Sequence, residues 1–271
     1  MSDAPVGPDY ALLDRRGLTF GLFYPRRDSS GPPSGATDHR VEVGEGVRVA
    51  CRFHPLERSR PVILFFHGNG EIASDYDMIA PAYHAIGASL LVVDYRGYGG
   101  SDGAPSFASL IEDAHPVLAR FHALLDEGGF TAERFVMGRS LGSLPAAEIA
   151  ATASERLAGL IIESGAPDLA RFRRRMGVGE SDSEIAELIE SHAARLEKIR
   201  LPALHIHGEW DEIIPLQNGV AFFEGLRSDQ KELLIIPGAG HNDIGWVGRD
   251  LYFEALERFI AGSSSSPETS A

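Results

Sequence analysis

A chain of 271 residues with 25 Lys and Arg against 39 Asp and Glu carries a formal charge of −14, which works against phosphate neutralisation and excludes a general nucleic-acid partner. Hydrophobic residues make up 44% and charged residues 24%, a balance that supports a sizeable buried core, while apolar runs as short as Val62 to Phe66 exclude a membrane-spanning helix. Cys51, the one cysteine, leaves no internal disulfide and no thiolate pair for structural zinc.

The first residues, 1–7, lack the basic start and apolar stretch of a secretory signal, so a reducing cytoplasm is the expected compartment. Residues up to about 38 mix Gly, Pro, Ser and charge around one apolar patch at 18–24, read as an early strand or a docked arm. From Arg40 to Phe53 the alternation Val41, Val43, then Val47, Val49, Cys51 and Phe53, broken by Gly44-Glu45-Gly46, predicts a hairpin and hence an antiparallel start. After Pro61 the run Val62 to Phe66 is continuously apolar, as in a strand covered on both faces. Similar runs recur at 89–93, 135–137, 160–162, 203–206 and 233–236, with helical patterns at 72–86, 107–125, 141–152, 216–225 and 249–261. This alternation predicts an α/β fold with a mostly parallel central sheet.

Between 162 and 203 lies a longer insertion in which Ile185, Leu188, Ile189, Leu196 and Ile199 fall at helical spacing, which predicts a short helical cap over about 167–200. The reading is one domain over 1–262 and a disordered polar tail at 263–271.

Gly138-Arg139-Ser140-Leu141-Gly142 fits G-x-S-x-G and stands between an apolar strand and a helix. An abrupt strand-to-helix turn needs glycine on both sides of the serine, and it exposes the hydroxyl of Ser140 at a helix N-terminus. A serine needs a general base, and the base needs a carboxylate to fix its tautomer. The loop after 203–206 supplies Asp211, with Glu209, Glu212 and Glu163 as rival acids, and the loop Pro237 to Asn242 supplies His241. Two amides must face the developing oxyanion: one from Leu141, the other from His67-Gly68-Asn69-Gly70, with Asn69 preferred and Gly70 next.

Together with Asp94-Tyr95-Arg96-Gly97-Tyr98-Gly99, and with Gly208, Asp211 and Pro215 before Gly240-His241, these motifs resemble the α/β-hydrolase superfamily over roughly residues 60–261. Within it the chain is similar to the branch that holds Bem46-like hydrolases, S33 serine-peptidase-like hydrolases and protein depalmitoylases. The resemblance implies a serine hydrolase, carboxylesterase- or thioesterase-like, that cleaves an acyl ester or thioester through an acyl-enzyme. It implies no metal and no organic cofactor, and a small-molecule acyl substrate as partner. Residues 1–38 contain none of the cysteines of the depalmitoylase N-terminus, and an insertion of about thirty residues is smaller than the caps of the peptidase relatives, so a small ester fits best. Acyl transfer, peptide cleavage and a noncatalytic binding module are the alternatives on the same scaffold.

Arg171, Arg173, Arg174 and Arg175 open the insertion and form the one concentrated basic patch. They are candidates to hold an anionic part of a substrate; the competing reading is a solvated face paired with Glu180 and Asp182. His205 and His207 alternate on a strand with no third ligand nearby and read as buried, hydrogen-bonded histidines. Arg96 and Asp94 are read as braces of their own loop. Nothing in the sequence sets the oligomeric state.

Overall fold

The computed structural model describes residues 7–170, 173, 177–179 and 181–262. Eight strands form one sheet: β1 Thr37–Gly44, β2 Val47–His54, β3 Val62–Phe66, β4 Ser89–Val93, β5 Arg134–Arg139, β6 Gly159–Glu163, β7 Ala203–Gly208 and β8 Lys231–Ile236. They lie in the order β1-β2-β4-β3-β5-β6-β7-β8. β1 pairs antiparallel with β2, and β2 with β4; every later pairing is parallel. The expected α/β architecture with an antiparallel start is therefore the observed one.

The continuous apolar strands split their side chains between two cores. On one face Val62, Leu64 and Phe66 of β3 join Val136, Leu160 and Ile162 and pack against helices Phe107–Glu112, Ala114–Glu127, Ser143–Thr152 and Ser183–Leu196. On the other, Ile63 and Phe65 join Phe135, Met137, Ile161 and Leu204 beneath the helices Ala80–Ala85 and Arg249–Gly262. The chain leaves β3 for β4 on one side and then crosses back to β5 on the other. Loops that leave β3 and β5 therefore diverge, and a crevice opens at their carboxyl ends.

Local chemistry shifts several boundaries. The pattern at 72–86 divides into a 3-10 turn, Ala73–Met78, and the helix Ala80–Ala85, because Pro81 opens a new helix and the Asp75 carboxylate caps the Ile72 amide at 3.1 Å. The pattern at 107–125 breaks at Asp113: Pro116 has no amide to offer the Glu112 carbonyl, and Arg96 takes the Asp113 carboxylate in a two-pronged pair at 2.6 and 2.7 Å. The patch at 18–24 is a docked arm, since it contributes no strand to the sheet. The arm opens with a short helix, Ala11–Arg15, that the sequence reading does not anticipate. Its Asp14 carboxylate accepts the amides of Phe107 and Ala108 at 2.8 and 2.9 Å, capping that helix from a distance in sequence. Among the described residues no helix is long and apolar enough to cross a membrane. Residues 263–271 lie outside the described residues, as do several of the insertion.

Leu64 is fully buried at the centre of β3, one of the two strands whose diverging loops shape the crevice. Leu64→Ala is expected to cost about 3 kcal/mol through lost burial and the cavity left behind. Urea denaturation measures this, and a loss below ~1 kcal/mol would show that the site collapses around the deletion.

Candidate active site

Ser140 follows β5 at φ 51°, in the left-handed region that a non-glycine residue occupies only under constraint. The constraint is backbone packing. A Cβ on Gly142 would overlap the Phe66 carbonyl, and one on Gly138 would overlap the Gly142 carbonyl. With glycine at both positions the chain turns from β5 into the helical turn Ser140–Gly142 and leaves the serine hydroxyl in the crevice.

The loops after β7 and β8 bring the other two groups to it. Gly238 N–H donates to Glu209 Oε2 at 2.8 Å, which ties the two loops together, and Gly240 N–H donates to Asp243 Oδ1 at 2.7 Å. His241 Nδ1 lies 2.8 Å from Asp211 Oδ2, and His241 Nε2 lies 2.8 Å from Ser140 Oγ. A carboxylate can only accept, so the imidazole proton sits on Nδ1 and leaves Nε2 to accept the serine proton. Asp211 Oδ1 is held by the amides of Ile213 and Ile214 at 3.0 and 2.7 Å. Burial pulls the Asp211 carboxyl up, but the hydrogen bonds from His207, His241 and the Ile214 amide outweigh it and hold the group well below the usual carboxylate range. The rival acids are engaged elsewhere: Glu209 with Gly238, and Glu163 with Arg139 and Tyr252, while Glu212 is exposed.

The crevice is a hollow of about 370 Å³ lined by Ser140, Leu141, Asn69, His241, Leu144 and Ile213, among others. Leu22 and Tyr24 of the docked arm form part of its wall. The arm is fastened there by Asn69, whose Nδ2 donates to the Leu22 carbonyl at 2.6 Å and whose Oδ1 accepts the Tyr24 amide at 3.0 Å and the Tyr98 hydroxyl at 2.7 Å. Gly70 is not among the residues lining the hollow. Arg173 donates to the Gly179 carbonyl at 2.6 Å and is not among the residues lining the hollow; Arg171 and Arg174 lie outside the described residues. Among the described residues no three His, Cys, Asp or Glu side chains are grouped as a metal ion requires.

Arg139, a variable position of G-x-S-x-G, ties three loops together. Its Nε donates to Glu163 at 3.0 Å, Nη1 to Glu71, and Nη2 to the His241 carbonyl and Asn242 Oδ1 at 3.1 and 3.0 Å. Glu71 in turn accepts the Gly68 amide at 2.6 Å, so one guanidinium connects the serine turn, the Asn69 loop and the histidine loop. Burial raises the Glu163 carboxyl despite this pairing. The signal available in sequence is an arginine placed directly between Gly138 and Ser140 at the end of β5.

Gly142→Ala is expected to lower stability by at least ~2 kcal/mol, since the turn must open against the Phe66 carbonyl. A melting temperature equal to that of wild type would contradict this packing. His205 is buried on β7, and burial pushes its imidazole down to about 3, so the unfolded chain takes up a proton below about pH 6.5 that the folded chain refuses. Stability contributed by the neutral ring is thus complete above about pH 6.5 and declines as pH falls toward about 3. His205→Gln is expected to flatten the stability–pH slope between pH 6 and 4.5 by up to ~1.4 kcal/mol per unit. Parallel slopes in chemical denaturation at several pH values would contradict it.

The family model described as serine aminopeptidase, S33, matches residues 57–178 and 180–244. The alpha/beta hydrolase domain-containing protein 17B of Xenopus laevis is 30% identical over 270 residues, covering 95% of this chain and 88% of that protein. The alpha/beta hydrolase domain-containing protein aho-3 of Caenorhabditis elegans is 32% identical over 230 residues, 83% of this chain and 65% of that protein. Among solved structures, the Pyrococcus furiosus esterase Pf2001 superposes with a TM-score of 0.70 at 17% identity, covering 89% of this chain and 100% of that one, a likeness of fold. Strand order, serine turn and sequence relatives agree: the chain belongs to the α/β-hydrolase superfamily, within the family of the S33 serine aminopeptidase model.

Proposed function

We propose that the chain is a serine hydrolase that cleaves an acyl ester or thioester of a small molecule through an acyl-enzyme. One observation carries the reading: Ser140 Oγ, His241 and Asp211 form an unbroken hydrogen-bonded series, both links 2.8 Å, whose serine and histidine line a hollow. Such a series solves the problem of a weak nucleophile. His241 Nε2 takes the serine proton as Oγ bonds to the acyl carbonyl carbon, and Asp211 stabilises the imidazolium. The amides of Leu141 and Asn69 receive the negative oxygen of the tetrahedral adduct, whose collapse returns the proton to the leaving alcohol or thiol. Water, deprotonated by the same imidazole, then releases the acid.

The size of the hollow supports a short acyl group. About 370 Å³ bounded by Leu22, Leu144, Ala166, Ile213 and Ile214 favours a compact apolar acid. Arg173 donates within its own segment, which lends no support to a substrate-anion role for it, and Asp182, expected as a partner of the basic patch, pairs with Arg16 instead.

A fluorophosphonate probe is expected to label the wild-type protein and to leave Ser140→Ala at background. Equal labelling of both would reject the assignment of the nucleophile. On aryl esters, Ser140→Ala and His241→Ala are each expected to lose about 10⁴-fold or more in kcat. Wild-type rates are expected to be highest on short acyl chains, and rates that rise steadily toward long chains would contradict the proposed preference.

A further inference from the structure

Two buried histidines stand on the far side of Asp211, the nearer with Nε2 3.3 Å from Oδ2. His205 and His207 are 1% and 0% exposed and point from β7 to the same face of the sheet. His207 Nε2 lies 2.8 Å from the Ile214 carbonyl and 3.3 Å from Asp211 Oδ2, the oxygen that also receives His241. A carbonyl oxygen accepts only, so Nε2 of His207 carries a proton and donates it to Ile214, which sets the N–H dipole 3.3 Å from the Asp211 carboxylate. In the neutral ring Nδ1 is then an acceptor, and His205 Nε2 stands 3.2 Å from it as the donor. The resulting order is His205 to His207 to Asp211, with His241 and Ser140 beyond.

The surroundings are shaped for these rings. Gly219, on the helix Leu216–Gly225, would place a Cβ 2.6 Å from His207 Nδ1 and 3.2 Å from His205 Cε1, so any larger residue would displace the pair. Phe222 of the same helix meets the His205 ring edge-on at 5.8 Å between centroids. The neighbouring strands set Ile162 and Leu233 beside His205, and Ile235 beside His207. Asp211 and, through it, His241 are therefore the charged and titratable groups that these elements bring to the pair. A core position filled by leucine would satisfy packing alone; a polar pair in a fitted recess, ending on a carboxylate, does something for that carboxylate.

We infer that His207 is a positioning residue for the Asp211 carboxylate: its Nε2–H anchors the oxygen that orients His241, and His205 fixes the tautomer that makes this donation possible. The inference rests on the reading of Ser140, His241 and Asp211 given under Proposed function. Two consequences follow from the shared oxygen. Without the His207 donor, Oδ2 swings free of its second anchor, so His241 is less well aimed at Ser140. The negative charge also concentrates on the single remaining bond to His241, which favours the imidazolium and moves the acid limb of the kcat/KM–pH profile to higher pH.

The test compares His207→Leu, which removes the donor, with His207→Gln, whose side-chain amide restores an N–H near the Nε2 position. For aryl-ester hydrolysis, His207→Leu is expected to move the acid limb up by about half a pH unit or more and to lower plateau kcat by about 10-fold, with KM changed little. His207→Gln is expected to recover most of both. Loss of kcat with an unmoved acid limb, or equal effects of the two substitutions, would overturn the inference and leave His207 a packing residue. Histidine ring 15N shifts of the wild-type and Ser140→Ala proteins at pH 7.5 give a readout that needs neither turnover nor a His207 variant. The Nε2–H tautomer of His207, with a scalar coupling from His205 Nε2–H to His207 Nδ1, is the expected result; the Nδ1–H tautomer would overturn the inference. Failure of Ser140 labelling alone would instead strike the functional reading, while the tautomer measurement still decides the arrangement of the histidines.

Discussion

The close approach of two peptide strands at Gly138 and Gly142 is the constraint on which the site depends. β3 and β5 are adjacent and parallel, with Phe66 in register with Gly138, so the loops that leave them start from the same edge of the sheet. Because Gly142 lacks a side chain, the turn after β5 packs directly on the Phe66 carbonyl, and Ser140 is held at positive φ within reach of the Asn69 loop. The strain of that backbone, about 1–3 kcal/mol, is sustained by two cores that fix β3 and β5 on both faces. A chain built this way aims its hydroxyl by architecture, before any side-chain interaction contributes.

Charge is arranged around that turn in two separate buried systems. On one side, Asp211 accepts from two amides and His241, with His207 Nε2 3.3 Å from the same oxygen as His241, and these groups hold its carboxyl low although its side chain is buried. On the other, Arg139 pairs with both Glu71 and Glu163 and binds the carbonyl of His241. The first system supplies electrostatics to the imidazole, and the second fixes the loops that carry the groups. Each buried charge has a partner, as the cost of desolvation demands.

Much of this was legible in the sequence, for physical reasons that also mark the limits. Val62 to Phe66 and Ser89 to Val93 were read with their observed bounds because strands covered on both faces must be apolar throughout. Ser140, Asp211 and His241, which the fold brings together, are legible as candidates because each sits in a short loop after such a strand, where glycine and proline punctuate the pattern. The helix breaks at 79 and 113 were missed: an apolar period continues through a break that a proline and the distant Arg96 impose together. The arm was ambiguous for a related reason, since its wall residues Leu22 and Tyr24 owe their place to the side chain of Asn69, 45 residues from Tyr24. Arg139 and His207 were read as structural or passed over because their partners, Glu71, Glu163 and Asp211, are identified by the fold rather than by spacing.

The central claim is that chemistry passes through a covalent bond to Ser140. Acid quenching during steady turnover of an aryl ester, followed by peptide mass spectrometry, tests it most directly. The account predicts that the peptide containing Ser140 carries the mass of the substrate's acyl group, and that the modification is lost when the substrate is exhausted. Sustained turnover with that peptide unmodified at every quench time, or with the acyl group on another residue, would contradict it.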